Sequence, residues 1–575
     1  MYKCIVFDLD ETLYDYESVN KFCFNLIIKK ISNLVNKGEK DIKYLLEKSK
    51  LNVKKKILGT ASSHSRILYF QKLCELLNIK LSHAFELNNL YWNQYYKMIK
   101  PRDGVIKYFD YLKDRNILIA ILTNFTSEHQ FKKLNNLGLL DYIDFMVTSE
   151  EVGVEKPNKK MFDAILEKTK LNKEDIMMVG DSLKNDITGA LNQRISAAFY
   201  TNDNKINGSI INFSNFSNLH NLFFNIDNEI NNLESICNYY GQRFDFTQAG
   251  GGNISVKFNH KDNNILIIKA SGFKLSDVNK ENGYTILNND TIKNYVNNLN
   301  YDGNKEKIEI DTKNFIKSNI LFNCKLKPSI ETPMHSILMK YTVHLHPIQC
   351  NIILTKKTGK EILLNLFPES LVVDYFTPGI ELSNEIKKVY ENHKIIFLLN
   401  HGLIVTSNSL DEINNLIRSV IEKIENYINN DMKLELNFSK YKVVNLISSV
   451  YEKKYNRKFI TYLVEDEIVK NYLLELDILK QVSIPDKLVY CGNEIINLIN
   501  LNNLENILLN FKYEVKMIIY NNNLYVISKS LNKCKDIVDV LKSHLIFSSN
   551  KDKLLINNEI NYLLNWEAEK YRQRL

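Results

Sequence analysis

Two groups of residues have types and spacings that can do chemistry. The first begins where the apolar run Cys4-Ile5-Val6-Phe7 gives way to Asp8-Leu9-Asp10-Glu11-Thr12. Two carboxylates two residues apart at the C-terminal end of a parallel strand stand where open α/β sheets place their ligands. Such a pair can hold a cation, attack an electrophile or move protons, and it also fits a strand-end turn with solvated acids. The second group is His344 and His346 in Thr342-Val343-His344-Leu345-His346-Pro347, with His401 in Asn400-His401-Gly402 and the nearby acid Glu331. Side chains at i and i+2 of a strand share a face, and His401 follows the apolar strand Ile395 to Leu399. Three imidazoles, a carboxylate and an open coordination position match the ligand set of a catalytic Zn²⁺. Strand-borne histidines can equally serve only to satisfy buried hydrogen bonds, and HxH spacing does not separate the two cases.

More residues join the first group in chain order. Thr123-Asn124 follow a strand, Lys156-Pro157 lies in EVGVEKPNKKMF, and Val179-Gly180-Asp181-Ser182 precedes Asn185-Asp186. This order of DxDxT, TN, KP and GDSxxND resembles the haloacid dehalogenase superfamily across about the first 200 residues. The resemblance implies a Rossmann-like domain with a helical cap inserted at about 14–100. It implies that Asp8 attacks phosphorus to form an aspartyl-phosphate, and that Asp10 protonates the leaving oxygen and then activates water. Asp8, the backbone carbonyl of Asp10, and Asp181 would hold Mg²⁺, a hard cation suited to oxygen ligands. Lys156 would offset the phosphate charge, Thr123 and Asn124 would bind the phosphate, and Asp186 would orient Lys156 or the metal's waters. The family's dehalogenases lack the second aspartate, so Asp10 favours phosphoryl chemistry.

The second group also extends. Gly250-Gly251-Gly252-Asn253-Ile254-Ser255 is a glycine-rich turn entering a strand, Ala270-Ser271-Gly272 follows another, and Lys327-Pro328-Ser329-Ile330-Glu331-Thr332-Pro333-Met334-His335 opens a helix. With HLHP, Tyr375 to Gly379 and NHG, the set resembles the class II aldolase/adducin family over about residues 230–430. PSIETPMH is most similar to the aldolase part of the rhamnulose-phosphate aldolase/alcohol dehydrogenase fusions, as are Pro485-Asp486 to Val489-Tyr490 and Trp566 to Arg572. The resemblance implies an α/β domain with a mixed central sheet and a homo-oligomer formed through it. It implies Zn²⁺ or another divalent metal on His344, His346 and His401, with Glu331 removing a proton from dihydroxyacetone phosphate. Asn253, Ser255, Ser271, Gly272 and Ser329 would cradle its phosphate, and His335 is expected to be a bystander on the helix face.

The elements that must position these groups follow from the pattern around them. Over residues 1–202 short apolar strands (Leu118 to Leu122, Phe145 to Thr148, Ile176 to Val179) alternate with helical stretches, which predicts a parallel sheet covered on both faces. The Asn-, Ser- and Asp-rich run from Thr201 to Asn218 predicts a linker, placed at 203–227. The aldolase-like unit is expected at 228–440 and a C-terminal α/β extension at 441–575, with strand-like runs at Leu488 to Cys491 and Val515 to Tyr520. A chain of 575 residues fits this number of units.

Composition excludes other classes. Lys and Arg number 75 against 67 Asp and Glu, a net +8 spread along the whole chain, so nothing marks a nucleic-acid binder. With 25% charged and 45% hydrophobic residues the chain is not disordered. No apolar run approaches the ~20 residues that span a bilayer, and charges interrupt MYKCIVFDLDE, so neither a membrane segment nor a secretion signal is expected. Eight cysteines without CxxC spacing suit buried thiols in a reducing cytoplasm.

The two halves together predict a bifunctional enzyme acting on a sugar phosphate and an aldehyde. Aldol addition of dihydroxyacetone phosphate to the aldehyde would give a ketose 1-phosphate. Dephosphorylation would then give a free ketose for carbohydrate biosynthesis, surface polysaccharide among its destinations. Two alternatives stand beside this: an epimerase, dehydratase or decarboxylase fused to a phosphatase, and a phosphatase carried on a non-catalytic aldolase-like scaffold.

Overall fold

The computed structural model describes residues 2–202, 206–207, 210–261, 263–301, 303–322, 324–433, 437–511, 514–548 and 560. Its first sheet has seven strands in the order β3-β2-β1-β4-β5-β7-β6. They are β1 (Cys4–Phe7), β2 (Leu118–Thr123), β3 (Phe145–Thr148), β4 (Ile176–Gly180), β5 (Ser196–Tyr200), β6 (Ile206–Asn207) and β7 (Ile210–Phe213). Only the β6–β7 pairing is antiparallel. β1 reads as an unbroken apolar run because both faces of a parallel sheet are covered, and all four of its residues are buried. It lies between β2 and β4, so the loops leaving these three strands converge at one edge. Between β1 and β2 stand the cap helices α1 (Tyr16–Val35), α2 (Glu39–Lys56), α3 (Arg66–Leu77) and α4 (Ser82–Met98), inside the stretch expected for a cap. α5 (Val105–Asp114) and α6 (Ser127–Asn136) flank β2.

The stretch expected as a linker is structured where it is described. β7 extends the sheet, and one helix then runs from Phe216 to Gly241. Its Asn- and Ser-rich start reads as a loop in sequence, but those polar groups are capping it: the Asn215 side chain accepts a hydrogen bond from the Asn218 N–H. Phe216, Leu219, Leu222, Phe223 and Ile226 supply the buried face. With 26 residues the helix is about 39 Å long. Near its start it runs so close to Gly104 that a Cβ there would meet the Ser217 nitrogen at 2.5 Å. At its far end it packs on β8 and on the turn at Leu275–Asp277. A single buried cluster therefore continues from Phe7 and Phe109 to Ile254 and Leu345.

The second sheet has the order β10-β9-β8-β11-β14-β13-β12. Its strands are β8 (Asn253–His260), β9 (Asn263–Lys269), β10 (Tyr284–Asn288), β11 (Tyr341–Leu345), β12 (Leu371–Val373), β13 (Ile395–Leu398) and β14 (Gly402–Ser407). Only β12–β13 is parallel, so the sheet is mixed, as expected. A third sheet, β15-β18-β17-β16, contains β15 (Ile460–Val464), β16 (Ile496–Leu498), β17 (Met517–Tyr520) and β18 (Asn523–Ser528). It is tied to the second unit through Gln242, whose Oε1 accepts from Ser448 Oγ at 2.7 Å and from the Thr461 N–H at 3.1 Å.

One C-terminal expectation changes. The run Val515 to Tyr520 does contain β17, but Leu488 to Cys491 lies in a turn of π-helix over Lys487–Cys491. A short apolar run looks alike as a buried strand or a buried helical turn, so its pattern could not separate them. Trp566 to Arg572 lie outside the described residues. No helix among the described residues is long and apolar enough to cross a membrane.

Candidate active sites

Asp8 leaves the end of β1 with its N–H bonded to the Val179 carbonyl at 2.9 Å, which seats it beside the Gly180-Asp181 turn. The buried Lys156 ammonium lies 2.6 Å from Asp8 Oδ1 and 2.7 Å from Asp186 Oδ1, and donates to the Leu122 carbonyl at 2.7 Å. Thr12 Oγ1 donates to Asp181 Oδ1 at 2.7 Å. Asp186 can fold against the strand end because residue 180 is glycine, since a Cβ there would lie 2.4 Å from Asp186 Oδ2.

Asp8, Asp181 and Asp186 offer carboxylate oxygens that all lie within 4.8 Å of one another. Three acids against one lysine leave net negative charge, a donor set that fits a hard divalent cation. Burial pushes the Asp8 carboxyl up against the opposing pull of Lys156, and pushes the Asp181 carboxyl up to about 6. A bound cation would restore both to the charged form.

Thr123 and Asn124, at the end of β2, both line the cavity beside Asp8, and each makes its own contact. Thr123 Oγ1 accepts from Gln130 Nε2 at 2.6 Å, which leaves the Thr123 hydroxyl proton free for an incoming oxygen. Asn124 Oδ1 accepts from the Lys156 backbone N–H at 2.9 Å, fixing the lysine's loop.

The environment of Asp10 was not anticipated. Lys133 Nζ lies 2.7 and 2.9 Å from its two oxygens, Gln130 Nε2 donates at 3.2 Å, and the Tyr14 hydroxyl donates as well. Burial alone would raise the Asp10 carboxyl; Lys133 and these hydrogen bonds hold it below the ordinary carboxylate range. Gln130 and Lys133 are three apart on α6, so they share a helix face. That spacing, on the helix following Thr123-Asn124, was the only sequence signal for them. Above these residues is a cavity of about 330 Å³, with Tyr16, His64 and Arg66 of the cap among its lining residues.

The second group converges on the mixed sheet. β11 carries His344, whose Nδ1 faces the Leu403 carbonyl at 3.2 Å. A proton held there leaves Nε2 with its lone pair exposed. His346 Nε2 lies 3.1 Å and His401 Nε2 3.3 Å from His344 Nε2. For a tetrahedral ion with metal–nitrogen distances of about 2.0–2.1 Å the nitrogens would stand about 3.3 Å apart, which the spacings from His344 to the other two imidazoles match. Burial lowers His344 and His346 to about 3 and lowers His401 as well, which keeps the rings neutral and able to act as ligands. Gly402 makes the approach possible, since a Cβ there would meet the Leu345 carbonyl at 2.4 Å and His346 Cδ2 at 2.8 Å.

Glu331 immediately precedes the short helix Thr332–Ile337, but its side chain makes no capping bond. Its Oε1 instead lies 3.4 Å from His344 Nε2 and 3.8 Å from His401 Nε2, and burial raises its carboxyl. Ser329 Oγ accepts from the Glu331 N–H at 3.2 Å and from the Asn253 amide, which ties the glycine-rich turn to the acid. Ser271 and Gly272 sit in an exposed turn, joined to the Lys327 carbonyl by the Ser271 N–H at 2.9 Å.

Ser255 differs from expectation. It shares a face of β8 with Asn253 but lies one side-chain pair deeper, fully buried, with its Oγ 2.7 Å from His335 Nδ1. It packs under the Thr332–Ile337 helix and cannot reach a phosphate from there. His335, expected to be a bystander, is this buried partner and stands outside the three-histidine cluster.

Known proteins resemble the chain in two separate blocks. Residues 2–192 match the haloacid dehalogenase-like hydrolases, and residues 232–428 match the Class II Aldolase and Adducin N-terminal domain. Over 193 residues the chain is 34% identical to the ribulose-1,5-bisphosphate 5-phosphatase of Halopiger xanaduensis, covering 33% of this chain and 81% of that protein. Over 203 residues it is 29% identical to the glyceraldehyde 3-phosphate phosphatase of Methanothermobacter thermautotrophicus, covering 34% and 84%. The N-terminal class II aldolase domain of a conserved protein from Thermoplasma acidophilum is similar at 22% identity with a TM-score of 0.31, over 35% of this chain and 93% of that one. The chain belongs to the haloacid dehalogenase-like hydrolases through its N-terminal third and carries a class II aldolase/adducin domain after it.

Proposed function

We propose that the chain is a bifunctional aldolase and phosphatase: it joins dihydroxyacetone phosphate to an aldehyde and then removes the phosphate from the ketose 1-phosphate formed. The observation that carries this reading is Glu331, whose carboxylate stands against three converging imidazoles while a separate acid–lysine cluster forms at the other site. A scaffold would have no use for four such groups held in register.

In the aldolase half a divalent cation, Zn²⁺ in our reading, would be held by His344, His346 and His401 and would act as a Lewis acid toward a carbonyl. Glu331 takes the proton from the carbon next to that carbonyl, a role suited to a carboxylate that burial makes more basic. Asn253 and Ser329 sit beside Glu331 and receive the substrate's phosphate, with the Ser271-Gly272 turn at the rim. Ser255 is left out of that set.

In the phosphatase half Mg²⁺, held by Asp8, Asp181 and the Asp10 carbonyl, would neutralise charge on the phosphate. Asp8 attacks phosphorus, and Lys156 and the Thr123 hydroxyl balance the charge on the phosphoryl oxygens. Asp10 gives a proton to the leaving oxygen, then takes one from the water that opens the aspartyl-phosphate. Asp186 keeps Lys156 in place.

The relatives' names, a sugar bisphosphate phosphatase and a triose phosphate phosphatase, support small phosphorylated sugars as the substrate class. Aldol addition is reversible and ester hydrolysis is not, so the second site would draw the first forward. We place this chemistry in the cytoplasm, in carbohydrate biosynthesis, with the aldolase half forming a homo-oligomer. The phosphatase unit reaches Phe213, and the Phe216–Gly241 helix serves both halves. Incubation with dihydroxyacetone phosphate and a panel of aldehydes, followed by NMR, tests the reading. A new ketose with released phosphate is expected; no carbon–carbon product with any aldehyde from metal-loaded protein would defeat the aldolase assignment.

A further inference from the structure

Arg66, the first residue of α3, is a buried cation facing the phosphatase cavity. It is 5% exposed, and no carboxylate among the described residues pairs with it. Its Nη1 donates to the His64 carbonyl at 2.6 Å, and its Nη2 donates to the Tyr16 hydroxyl at 2.8 Å and to Asn20 Oδ1 at 3.3 Å. Its Nε has no partner among the described residues. Around it stand the rings of Phe24, Tyr69, Tyr91, Trp92 and Phe125, 5.4 to 5.9 Å from the guanidinium carbon. Aromatic faces offset part of the cost of burying a guanidinium, but only an anion matches its charge.

The other cations of the cavity are already matched. Lys156 faces Asp8 and Asp186, and Lys133 faces Asp10. Arg66 is also fixed relative to them: His64 Nε2 lies 2.8 Å from Glu155 Oε1, so the turn that anchors the guanidinium is tied to the residue before Lys156. The cavity thus has a floor that receives one phosphate and a roof that holds a spare positive charge.

We propose that Arg66 reads a second anionic group, a carboxylate or a phosphate, at the far end of the phosphate ester. The inference rests on the phosphatase reading above and narrows it. Dihydroxyacetone phosphate contributes only the phosphate that is cleaved, so the acceptor aldehyde must bring the second anion.

Two matched pairs of esters test this on the full chain with Mg²⁺: 3-phosphoglycerate against glycerol 3-phosphate, and fructose 1,6-bisphosphate against fructose 1-phosphate. The wild type is expected to prefer the doubly anionic member of at least one pair by about tenfold or more in kcat/KM, and the pair concerned names the anion as carboxylate or phosphate. Arg66→Gln should bring that ratio to within about threefold of one, mainly through KM, while Arg66→Lys keeps part of it. A structural role alone would lower both members of a pair together and leave the ratio intact, and that result overturns the proposal. Equal rates within both pairs in the wild type overturn it without recourse to any variant. Absence of phosphate release from every ester would instead defeat the phosphatase reading, and this inference with it.

Discussion

The two sites assemble opposite kinds of charge. The first crowds carboxylates at the ends of parallel strands and holds them with buried lysines: Lys156 spans Asp8 and Asp186, and Lys133 covers both oxygens of Asp10. The second brings together three neutral imidazoles at the ends of antiparallel strands with one acid, Glu331, at their edge. The first therefore keeps much of its order through ion pairs of its own, whereas the second rests on neutral rings, hydrogen-bonded side chains such as Asn253 and Ser329, and one carboxylate. A cation at the first site trims repulsion between acids; at the second it is what gives three converging lone pairs a common partner. The helix from Phe216 to Gly241 runs from one unit to the other over about 39 Å, so each site should answer to changes in its own residues alone.

The sharpest way to break that contrast is to remove one imidazole. His344→Ala, or equally His346→Ala, should strip the metal from the aldolase half and lower aldol addition by at least about 10³-fold, because two imidazoles hold a divalent ion poorly. Phosphate release should persist. Metal analysis with both assays on the same preparation checks it, and full metal occupancy in either variant would refute the ligand assignment.

Glu331→Gln separates the base from the ligands. The variant should keep its metal and lose proton exchange at the substrate carbon by roughly 10²-fold. Deuterium wash-in from D₂O into dihydroxyacetone phosphate, followed by NMR, measures this without any aldehyde. Because the Glu331 side chain makes no capping bond, thermal stability should hold. Wild-type exchange in folded, metal-loaded protein would rule the base role out.

Lys133→Met probes the ion pairs of the first site. Phosphate release at pH 7 should fall about tenfold. Lys133 is the main influence holding the Asp10 carboxyl below its ordinary range against burial, so its removal raises that pKa. Asp10 must carry a proton when the leaving oxygen departs, so the alkaline limb of the kcat/KM profile should then move to higher pH; an unmoved limb would mean that Asp10 does not set it.

The smallest effect is expected in the element that joins the two units. Asn215→Ala removes the cap of the Phe216–Gly241 helix and should cost about 1 kcal/mol of stability. Thermal denaturation should show a lowered Tm with both activities intact; an unchanged Tm would mean that the cap contributes nothing.

What could be read from sequence in these sites follows from how each residue is placed. Asp8, Thr123 and Asp181 stand at the ends of buried strands of one parallel sheet, and the family resemblance of their motifs, in chain order, grouped them. His344 and His346 share a face by strand alternation. Lys133, Gln130 and Arg66 lie on helices, where nothing local says which face meets the site until the cap and α6 are packed over β1. Ser255 shows the limit of alternation, which gives a face but not a depth: Asn253 opens to Ser329 while Ser255 is sealed against His335. The Asn-rich stretch near 215 failed for a different reason, since residues that favour loops also favour helix caps.

The most direct test of two independent sites in one chain is a time course by NMR with dihydroxyacetone phosphate and an aldehyde that the wild type accepts. The wild type should yield the free ketose and inorganic phosphate. Asp8→Asn, which lacks the nucleophile, should form the new carbon–carbon bond at an undiminished initial rate and stop at the ketose 1-phosphate. Phosphate release from that ester by Asp8→Asn, or loss of carbon–carbon bond formation in folded protein, would contradict the account.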